Sequence, residues 1–432
     1  MTMLNVKDFG AVGDGVSKDT VAVQRALDAG GMVHVPAGVY LCGSLYLRSN
    51  GGLDLAPGAV ILGSPDKEDY NAADFCPQNR PFPPECSYGA HLLIAVEQEN
   101  VVIRGRGRID GNRQAFYELA EKREQIWSRH IAWRPSQMLF FCECRGVQIC
   151  DAHLDNAPYW TCFLHGCVDV SIRGLRIDNP MHTRNGDGID IDCCKNVTIS
   201  DCIIDSGDDC ITLRGNSAPL KTPRPCENIT ISNCVLRTIC NAFRIGVGNG
   251  LVRNCTVSNV VIHDSRMGIC LCTKYSSAPR AVQIEDISFS NIFIEADRPI
   301  AIVIGAHGAA DGPGIKPIQR ISFNQIRGRG CVGNLIQGRA LGDIRDISFR
   351  DVRFDYSGGD RVVVDPPNGY SEPCHISPPA AFHLEYAQDI VFDQVRINWL
   401  SDDPRWLHDV GAVGSQDVVF NNCTFSKGHA LA

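Results

Sequence analysis

A short strand pattern recurs along the chain from about residue 100 to its end. In each copy, apolar and mostly β-branched residues alternate with other residues, and the copy begins at a residue compatible with a turn. The copies begin at Asn100, Gly146, Asp169, Asn196, Asn228, Asp286, Arg320, Asp346, Asp389 and Asp417. They follow one another at intervals of 23 residues and upward, which is typical of a solenoid whose coils bury their apolar faces on their neighbours.

Patterns typical of helices are scarce, so the solenoid is predicted to be built of strands. The sequence therefore predicts an all-β fold, a right-handed parallel β-helix of the pectate-lyase-like type. The repeats continue to the end of the chain. Residues 1–432 are accordingly expected to form a single domain.

Two helical patterns accompany the strands. The first lies in an N-terminal cap over residues 1–35, where Asp19 is expected to N-cap a helix that Gly30-Gly31 ends. The residues that share the apolar face of this helix are Val23, Ala26 and Leu27. The second pattern covers about 113–133 and would interrupt the solenoid as a helical insertion, either as the wall of a cleft or as packing.

Composition limits the expected binding partners and the expected cellular location of the protein. The net charge of −8 implies no general basic face for nucleic acid, and no run of 18 apolar residues exists that would predict a membrane partner. The first residues lack the apolar core of a signal peptide, so the expected location is the cytoplasm. An odd count of 21 cysteines then favours reduced thiols that pack as small hydrophobic side chains. No cofactor or metal is expected, and the oligomeric state is left open.

Two short motifs carry the candidate chemistry. Asp187 lies in Asn-Gly-Asp-Gly-Ile-Asp (185–190), and Asp208 and Asp209 lie in Gly-Asp-Asp-Cys (207–210). Asp187 and Asp209 are 22 residues apart, about one coil, so the second carboxylate is expected to stack on the first. Crowded like charges lower stability, and catalysis is the favoured reason for such a cluster. The alternative is a ladder of Asn and Asp turns that caps successive coils.

At these motifs the chain resembles the polygalacturonase family, the pectin-acting glycoside hydrolases of family 28. The opening Asp-Phe-Gly-Ala-Val-Gly-Asp-Gly (8–15) is similar to the start of that family. The resemblance implies cleavage of a glycosidic bond with inversion. Asp208 would be the general acid, and Asp187 and Asp209 would hold and deprotonate the attacking water. Inversion needs carboxyl groups about 6.5–9.5 Å apart, which leaves room for that water.

Two departures from the family pattern concern substrate binding. Asn241 takes the position of a family histidine, and the Arg-x-Lys pair that grips a uronate is absent from Gly268–Cys272. Matching the apolar positions of successive coils stacks Asn241 with Met267 and places Thr212, Arg244 and Cys270 in one row. Arg244 then lies one coil from the vacant arginine position, a shift of about 4.8 Å. We therefore hypothesise that Arg244, helped by Arg214 or Lys274, holds the substrate. The alternative is that Arg244 compensates the charge of Asp190 or Asp209.

Two further residues are weaker candidates for substrate binding, His182 on the loop before Asp187 and Tyr275 after Lys274. Together these features predict a metal-independent inverting glycosidase that acts on an imported oligosaccharide, uronide-containing or related. A β-helix polysaccharide lyase or glycosyl transferase remains an alternative, because Arg244 near three aspartates is compatible with it. A non-catalytic carbohydrate-binding solenoid is a second alternative, motivated by the missing histidine, arginine and lysine.

Overall fold

The repeated segments of the sequence form β-strands in the structure. A computed structural model describes residues 3–72, 89–117, 133–274, 280–305, 314–358 and 379–431. The chain forms two compact units, one made of Met1–Asp209 with Pro219–Arg224 and the other of Cys210–Ala218 with Pro225–Ala432.

The first unit begins with a short helix and continues as strands. Its α-helix is α1 (Thr20–Asp28), and single 3₁₀ turns cover Val6–Phe9, Lys67–Asp69 and Arg113–Ala115. Its strands are β1 (Leu4–Asn5), β2 (Asp14–Lys18), β3 (Met32–Val35), β4 (Gly38–Cys42), β5 (Leu45–Tyr46), β6 (Gly51–Leu55), β7 (Ala59–Gly63), β8 (Leu93–Val96), β9 (Glu99–Gly105), β10 (Arg108–Asp110), β11 (Leu139–Cys142), β12 (Arg145–Cys150), β13 (His153–Asp155), β14 (Cys162–His165), β15 (Val168–Arg173), β16 (Arg176–Asp178), β17 (Ile189–Asp192), β18 (Lys195–Ser200) and β19 (Ile203–Ser206).

The second unit consists of strands in its described residues, and two of them are long enough to pair along most of a coil. Its strands are β20 (Ile211–Gly215), β21 (Cys226–Ser232), β22 (Val235–Thr238), β23 (Asn241–Gly248), β24 (Leu251–Lys274), β25 (Gln283–Gly305), β26 (Ile318–Gly330), β27 (Asn334–Gln337), β28 (Ile344–Arg350), β29 (Arg353–Tyr356), β30 (Ala380–Glu385), β31 (Ala387–Asp393), β32 (Arg396–Trp399), β33 (His408–Val413), β34 (Gln416–Asn421) and β35 (His429–Leu431).

Strands of neighbouring coils pair in parallel within each unit, and most of these pairings keep one register throughout. In the first unit, β12 pairs with β15 and β15 with β18, which brings Val147, Val170 and Val197 into one buried row. Such rows extend the apolar core from coil to coil, because strand side chains alternate between the inside and the outside. The predicted fold class, a right-handed parallel β-helix, is confirmed. The expectation of a single domain stays a prediction.

An aromatic ladder forms the core of the second unit. Its rungs are Phe289, Phe323, Phe349, Phe392 and Phe420, and neighbouring rings stack with centroids 5.0–5.3 Å apart. All five are the aromatic positions of the repeated strand pattern. The repeat therefore places identical side chains on top of one another, where offset stacking adds to the burial of apolar area.

The turn residues that begin the ten copies share one backbone conformation. Each has a positive φ, between +54° and +70°. Asn and Asp adopt this left-handed conformation more readily than other non-glycine residues, which explains why they dominate these positions. Their side chains also bond from coil to coil, as in the 2.9 Å bond that Asn196 Nδ2 donates to Asp169 Oδ1. Ladders of turn residues are therefore part of the framework of this fold.

The N-terminal helix agrees with the sequence except at its cap. Val23, Ala26 and Leu27 are buried on one face, and Gly30 follows with a φ of +85°. The prediction that the Asp19 side chain caps the helix is wrong. Its carboxylate accepts instead from the backbone N–H groups of Val12 and Gly13, at 2.6 and 2.8 Å. The preceding turn offers two donors, and these satisfy both carboxylate oxygens.

The second predicted helix, about 113–133, falls largely outside the described residues. At its start the structure shows the single turn Arg113–Ala115, and residues 118–132 are not described. Trp133 at its end contacts the rings of Tyr70 and Phe116, with centroids 5.6 and 5.7 Å away. No helix within the described ranges is long and apolar enough to cross a membrane.

The cysteines behave as the sequence suggests. All 18 cysteines within the described residues are thiols, and 15 of them are buried. Several stack in rows, as where the backbone N–H of Cys167 meets the Sγ of Cys194 at 3.3 Å. Burial raises the pKa of Cys255 to about 12. These thiols therefore act as small apolar core residues.

Candidate active site

A tight turn precedes Asp187, which lies just before the start of β17. The backbone N–H of Thr183 donates to the Pro180 carbonyl at 2.9 Å, and that of Gly186 donates to the Thr183 carbonyl at 3.1 Å. Asn185 between them has a φ of +55°, a conformation that asparagine tolerates. The chain then enters the strand, and the Asp187 carbonyl accepts from Thr161 N–H at 2.9 Å. Asp187 is only 4% exposed.

Asp208 and Asp209 lie on the next coil of the same unit. The Gly188 N–H donates to the Asp209 carbonyl at 2.8 Å, so the residue after Asp187 lies directly beside Asp209. Asp209 is 9% exposed, whereas Asp208 is half-buried. The Asp208 carbonyl accepts from the Ser206 hydroxyl at 2.7 Å. The three carboxylates predicted from the sequence thus come from two adjoining coils, and Asp208 is the most accessible of them.

Gly207 allows these two coils to approach. A Cβ atom at this position would lie 2.4 Å from the Thr183 carbonyl oxygen and 2.9 Å from that of Pro180. Its N–H also donates to the Gly186 carbonyl at 3.2 Å. The absence of a side chain at Gly207 therefore sets the distance between the Asp187 turn and the Asp208-Asp209 pair.

Two further acidic residues of β17 are buried. Asp190 pairs in register with Phe163, and Asp192 pairs with His165. Buried carboxylates lower stability unless hydrogen bonds or charges compensate them, and this strand contains two such carboxylates directly after Asp187. The sequence motif contained Asp190, and its complete burial was not apparent from the pattern.

One group of residues in this unit has ligand types that suit a metal. One atom each from His165, Asp192 and Cys193 lie within 4.8 Å of one another, and all three residues are buried. His165 and Asp192 occupy paired register positions, so the stacking of coils accounts for their closeness. The expectation that the protein needs no metal stays a prediction.

The candidate residues of the second unit follow the predicted register. Thr212, Arg244 and Cys270 occupy successive positions of one row, and Asn241 pairs with Met267, as the sequence alignment of coils predicts. Arg244 Nη1 lies 3.1 Å from the Cys270 Sγ. Arg244 is 3% exposed, so little of this residue is accessible to a ligand. Asn241 is also buried, and its carbonyl accepts from Cys210 N–H at 3.0 Å.

The remaining predicted binding residues differ in accessibility. Arg214 is half-buried and lies where the pairing of β20 with β23 shifts register, between Leu213 and Gly215. Lys274 at the end of β24 is completely buried. His182, in the first unit, is exposed on the loop before Asp187. Tyr275 lies outside the described residues.

Sequence reasoning missed a buried arginine behind the Asp187 turn. Arg134 is completely buried, and its Nη2 donates to the Asn185 side-chain oxygen at 2.9 Å. Arg134 belongs to no strand repeat and stands about 50 residues before the turn that it contacts. No local pattern relates the two segments, so the contact depends on the folding of the chain between them.

The family model of glycosyl hydrolases family 28 matches residues 84–371, and the chain belongs to this family. The resemblance noted in the sequence is thereby confirmed. The N-terminal part, residues 3–80, matches a second model described as rhamnogalacturonase A/epimerase, pectate lyase-like. The repeats of the solenoid and its carboxylate motifs thus lie mainly in the region of the first model.

Two curated relatives illustrate the similarity in sequence. A probable polygalacturonase of Vitis vinifera is 30% identical over 226 residues, which cover 48% of this chain and 43% of the relative. An exo-poly-alpha-D-galacturonosidase of Dickeya chrysanthemi is 27% identical over 258 residues, covering 48% of this chain and 41% of the relative. The chain therefore spans less than half the length of these relatives.

Two solved structures share the fold. The family 28 exopolygalacturonase of Yersinia enterocolitica aligns with a TM-score of 0.71 at 17% identity, covering 96% of this chain and 78% of that one. The exopolygalacturonase of Thermotoga maritima aligns with a TM-score of 0.63 at 21% identity, covering 99% of this chain and 93% of that one.

Proposed function

We propose that this protein is an inverting glycoside hydrolase. Its general acid is Asp208, and Asp187 and Asp209 activate the attacking water. The observation that carries the proposal is the hydrogen bond from Gly188 N–H to the Asp209 carbonyl. This bond places the segment of Asp187 beside Asp209 on the adjoining coil, and Asp208 is the most accessible of the three residues. Membership of glycosyl hydrolases family 28 supports a glycosidic bond as the target.

The three carboxylates divide the reaction between them. Asp208, as the carboxylic acid, gives its proton to the glycosidic oxygen as the bond from that oxygen to the anomeric carbon breaks. Asp187 and Asp209 hold a water on the opposite face of the sugar, and one of them takes its proton as the new C–O bond forms. The anomeric configuration is inverted, and the products are two shorter sugars. The greater exposure of Asp208 suits contact with a leaving group.

The proposed substrate is an oligosaccharide that contains a uronic acid or a related sugar and is taken up by the cell. The relatives named as polygalacturonases support a galacturonide as the first candidate. The missing Arg-x-Lys pair argues for a different mode of carboxylate binding, with Arg244 as the candidate cation. Action on imported oligosaccharides in the cytoplasm is part of the proposal and depends on the location of the protein.

Product analysis in ¹⁸O-labelled water tests the reaction. A panel of acidic and neutral oligosaccharides is incubated with the protein and examined by mass spectrometry and proton NMR. We expect one oxygen-18 at the new reducing end, with an anomeric configuration opposite to that of the substrate. An unsaturated product that absorbs in the ultraviolet would show a lyase reaction instead of hydrolysis. Saturable binding without turnover across a panel that includes galacturonides would contradict catalysis.

Replacing Arg244 with Ala tests the substrate-binding role. On an acidic oligosaccharide we expect KM to rise about tenfold or more, since a charge-assisted bond to a carboxylate would be lost. On the corresponding neutral sugar, KM should change much less. Arg253→Ala is the matched control in the same unit, because Arg253 contacts Glu227 at 2.8 Å and not the Arg244 row. If the folded Arg244→Ala protein kept its KM and kcat, Arg244 would not bind substrate, and its role would be structural.

A further inference from the structure

Arg134 is buried in the first unit, immediately after the segment 118–132. Trp133 before it packs on Tyr70 and Phe116, and the Ser136 N–H after it donates to the Ala90 carbonyl at 2.6 Å. The chain is therefore held within the unit on both sides of Arg134. The side chain extends from an anchored backbone, so its position is well defined.

The guanidinium of Arg134 bonds to two different loops. Nη1 donates to the Pro158 and Arg184 carbonyl oxygens, each at 2.8 Å, and to the Tyr117 hydroxyl. Nη2 donates to the Asn185 side-chain oxygen at 2.9 Å. The Tyr117 hydroxyl lies 2.9 and 3.1 Å from the same Pro158 and Arg184 carbonyl oxygens, and its single proton can be donated to either of them. The turn that leads to Asp187 is thus tied to the loop that contains Pro158.

Two tyrosine rings lie close to this guanidinium. The Arg134 Cζ lies 4.7 Å from the ring centroid of Tyr159 and 5.8 Å from that of Tyr117. A planar guanidinium can stack on a ring and still donate in several directions within its plane, which an ammonium group cannot do. The pocket is therefore shaped for arginine in particular.

The bonds of Arg134 end two and three residues before Asp187. Asn185 has a left-handed backbone, and the bonds of Thr183, Gly186 and Gly207 hold the turn around it. Loss of Arg134 would remove two further bonds, those to the Arg184 carbonyl and to the Asn185 side chain, and would loosen the part of the turn that precedes Asp187. A displacement of about 1 Å of a catalytic group lowers rates about 10²-fold.

We propose that Arg134 is a positioning residue for Asp187, which it holds in place through the backbone of Arg184 and the side chain of Asn185. This inference rests on the proposed function as far as the reaction is concerned. Its structural half, the control of residues 180–188 by Arg134, can be measured without any substrate. The two halves can therefore fail separately.

The test uses Arg134→Lys in the full chain. Lysine keeps the charge and loses the planar set of donors. We expect hydrogen exchange of the backbone amides in 181–188 to accelerate tenfold or more, Thr183 and Gly186 included, while the amides of the first unit outside this turn and the Pro158 loop stay unchanged. On a substrate that the wild type hydrolyses, kcat should fall about 10²-fold with KM nearly constant. In Arg134→Ala, added guanidinium ion should restore part of the lost rate.

Arg145→Lys is the matched control, because Arg145 is exposed in the same unit and contacts Asp169 at 2.7 Å. It should change neither exchange nor kcat. Unchanged exchange of 181–188 in Arg134→Lys would overturn the inference. Loss of protection throughout the first unit, or failure of the Lys variant to fold, would also overturn it by making Arg134 a general structural residue. A wild type without turnover would refute the proposed function. The exchange data would still show whether Arg134 holds the turn before Asp187.

Discussion

Replacing Asp208 with Asn is expected to lower kcat on natural oligosaccharides by about 10²–10⁴-fold. The amide cannot give a proton to the leaving oxygen, and the sugar alkoxide is a poor leaving group without it. Binding should change little, because Asn keeps the size and hydrogen-bonding capacity of the side chain. Steady-state kinetics of the wild type and the variant on the same oligosaccharide provide the measurement.

The leaving group distinguishes a general acid from the other carboxylates. In a nitrophenyl glycoside of the same sugar, the nitrophenolate leaves without protonation. Asp208→Asn should therefore recover most of the wild-type rate on this substrate. Asp187→Asn and Asp209→Asn should stay impaired on both substrates, because the water still needs a base. Asp205→Asn, at the half-buried Asp205 of β19, is the control and should keep full activity. Equal impairment of Asp208→Asn on both substrates would refute its role as the acid.

Replacing Gly207 with Ala is expected to damage both stability and activity. The added Cβ would lie 2.4 Å from the Thr183 carbonyl oxygen, a distance that forces the turn or the Asp208 segment to move. Overpacking of this kind lowers the free energy of unfolding by about 1–3 kcal/mol. Because the same movement shifts Asp208 and Asp209, kcat should fall further than the loss of folded protein explains. Thermal melting and kinetics on the remaining folded protein measure the two effects.

Gly411→Ala is the control for this substitution. A Cβ there would be 3.6 Å from the nearest atom, the Ala380 Cβ, which is an ordinary contact. This variant should match the wild type in melting temperature and kcat. If Gly207→Ala also matched the wild type, the close approach of the two coils would not be needed for the site.

The repeat predicted the fold because both of its components act locally. Alternation of apolar residues decides which side chains point inward, and a residue such as Asn196 or Asp169 at the left-handed turn decides where each strand begins. Register then followed from matching the apolar positions of successive coils. The pairing of Arg244 with Cys270, and of Asn241 with Met267, was predicted in this way and is confirmed.

The same reasoning was less reliable where a side chain has several partners to choose from. Asp19 is an N-cap residue by type and position, yet its carboxylate binds the turn at Val12 and Gly13. Lys274 was expected to help hold a substrate, and the structure buries it completely. Neither outcome is encoded in the residues next to these positions, because both depend on segments brought near by the solenoid.

The sequence by itself determined the parallel β-helix and the coil positions of Asp187, Asp208 and Asp209, since a period of about one coil and a turn residue are properties of short segments. Only the tertiary structure decided that Asp187 and Asp209 are buried while Asp208 is accessible. It also decided that Arg134 bonds to the turn before Asp187. These are results of contacts between residues far apart in the chain, which burial and hydrogen bonding select only after the coils have stacked.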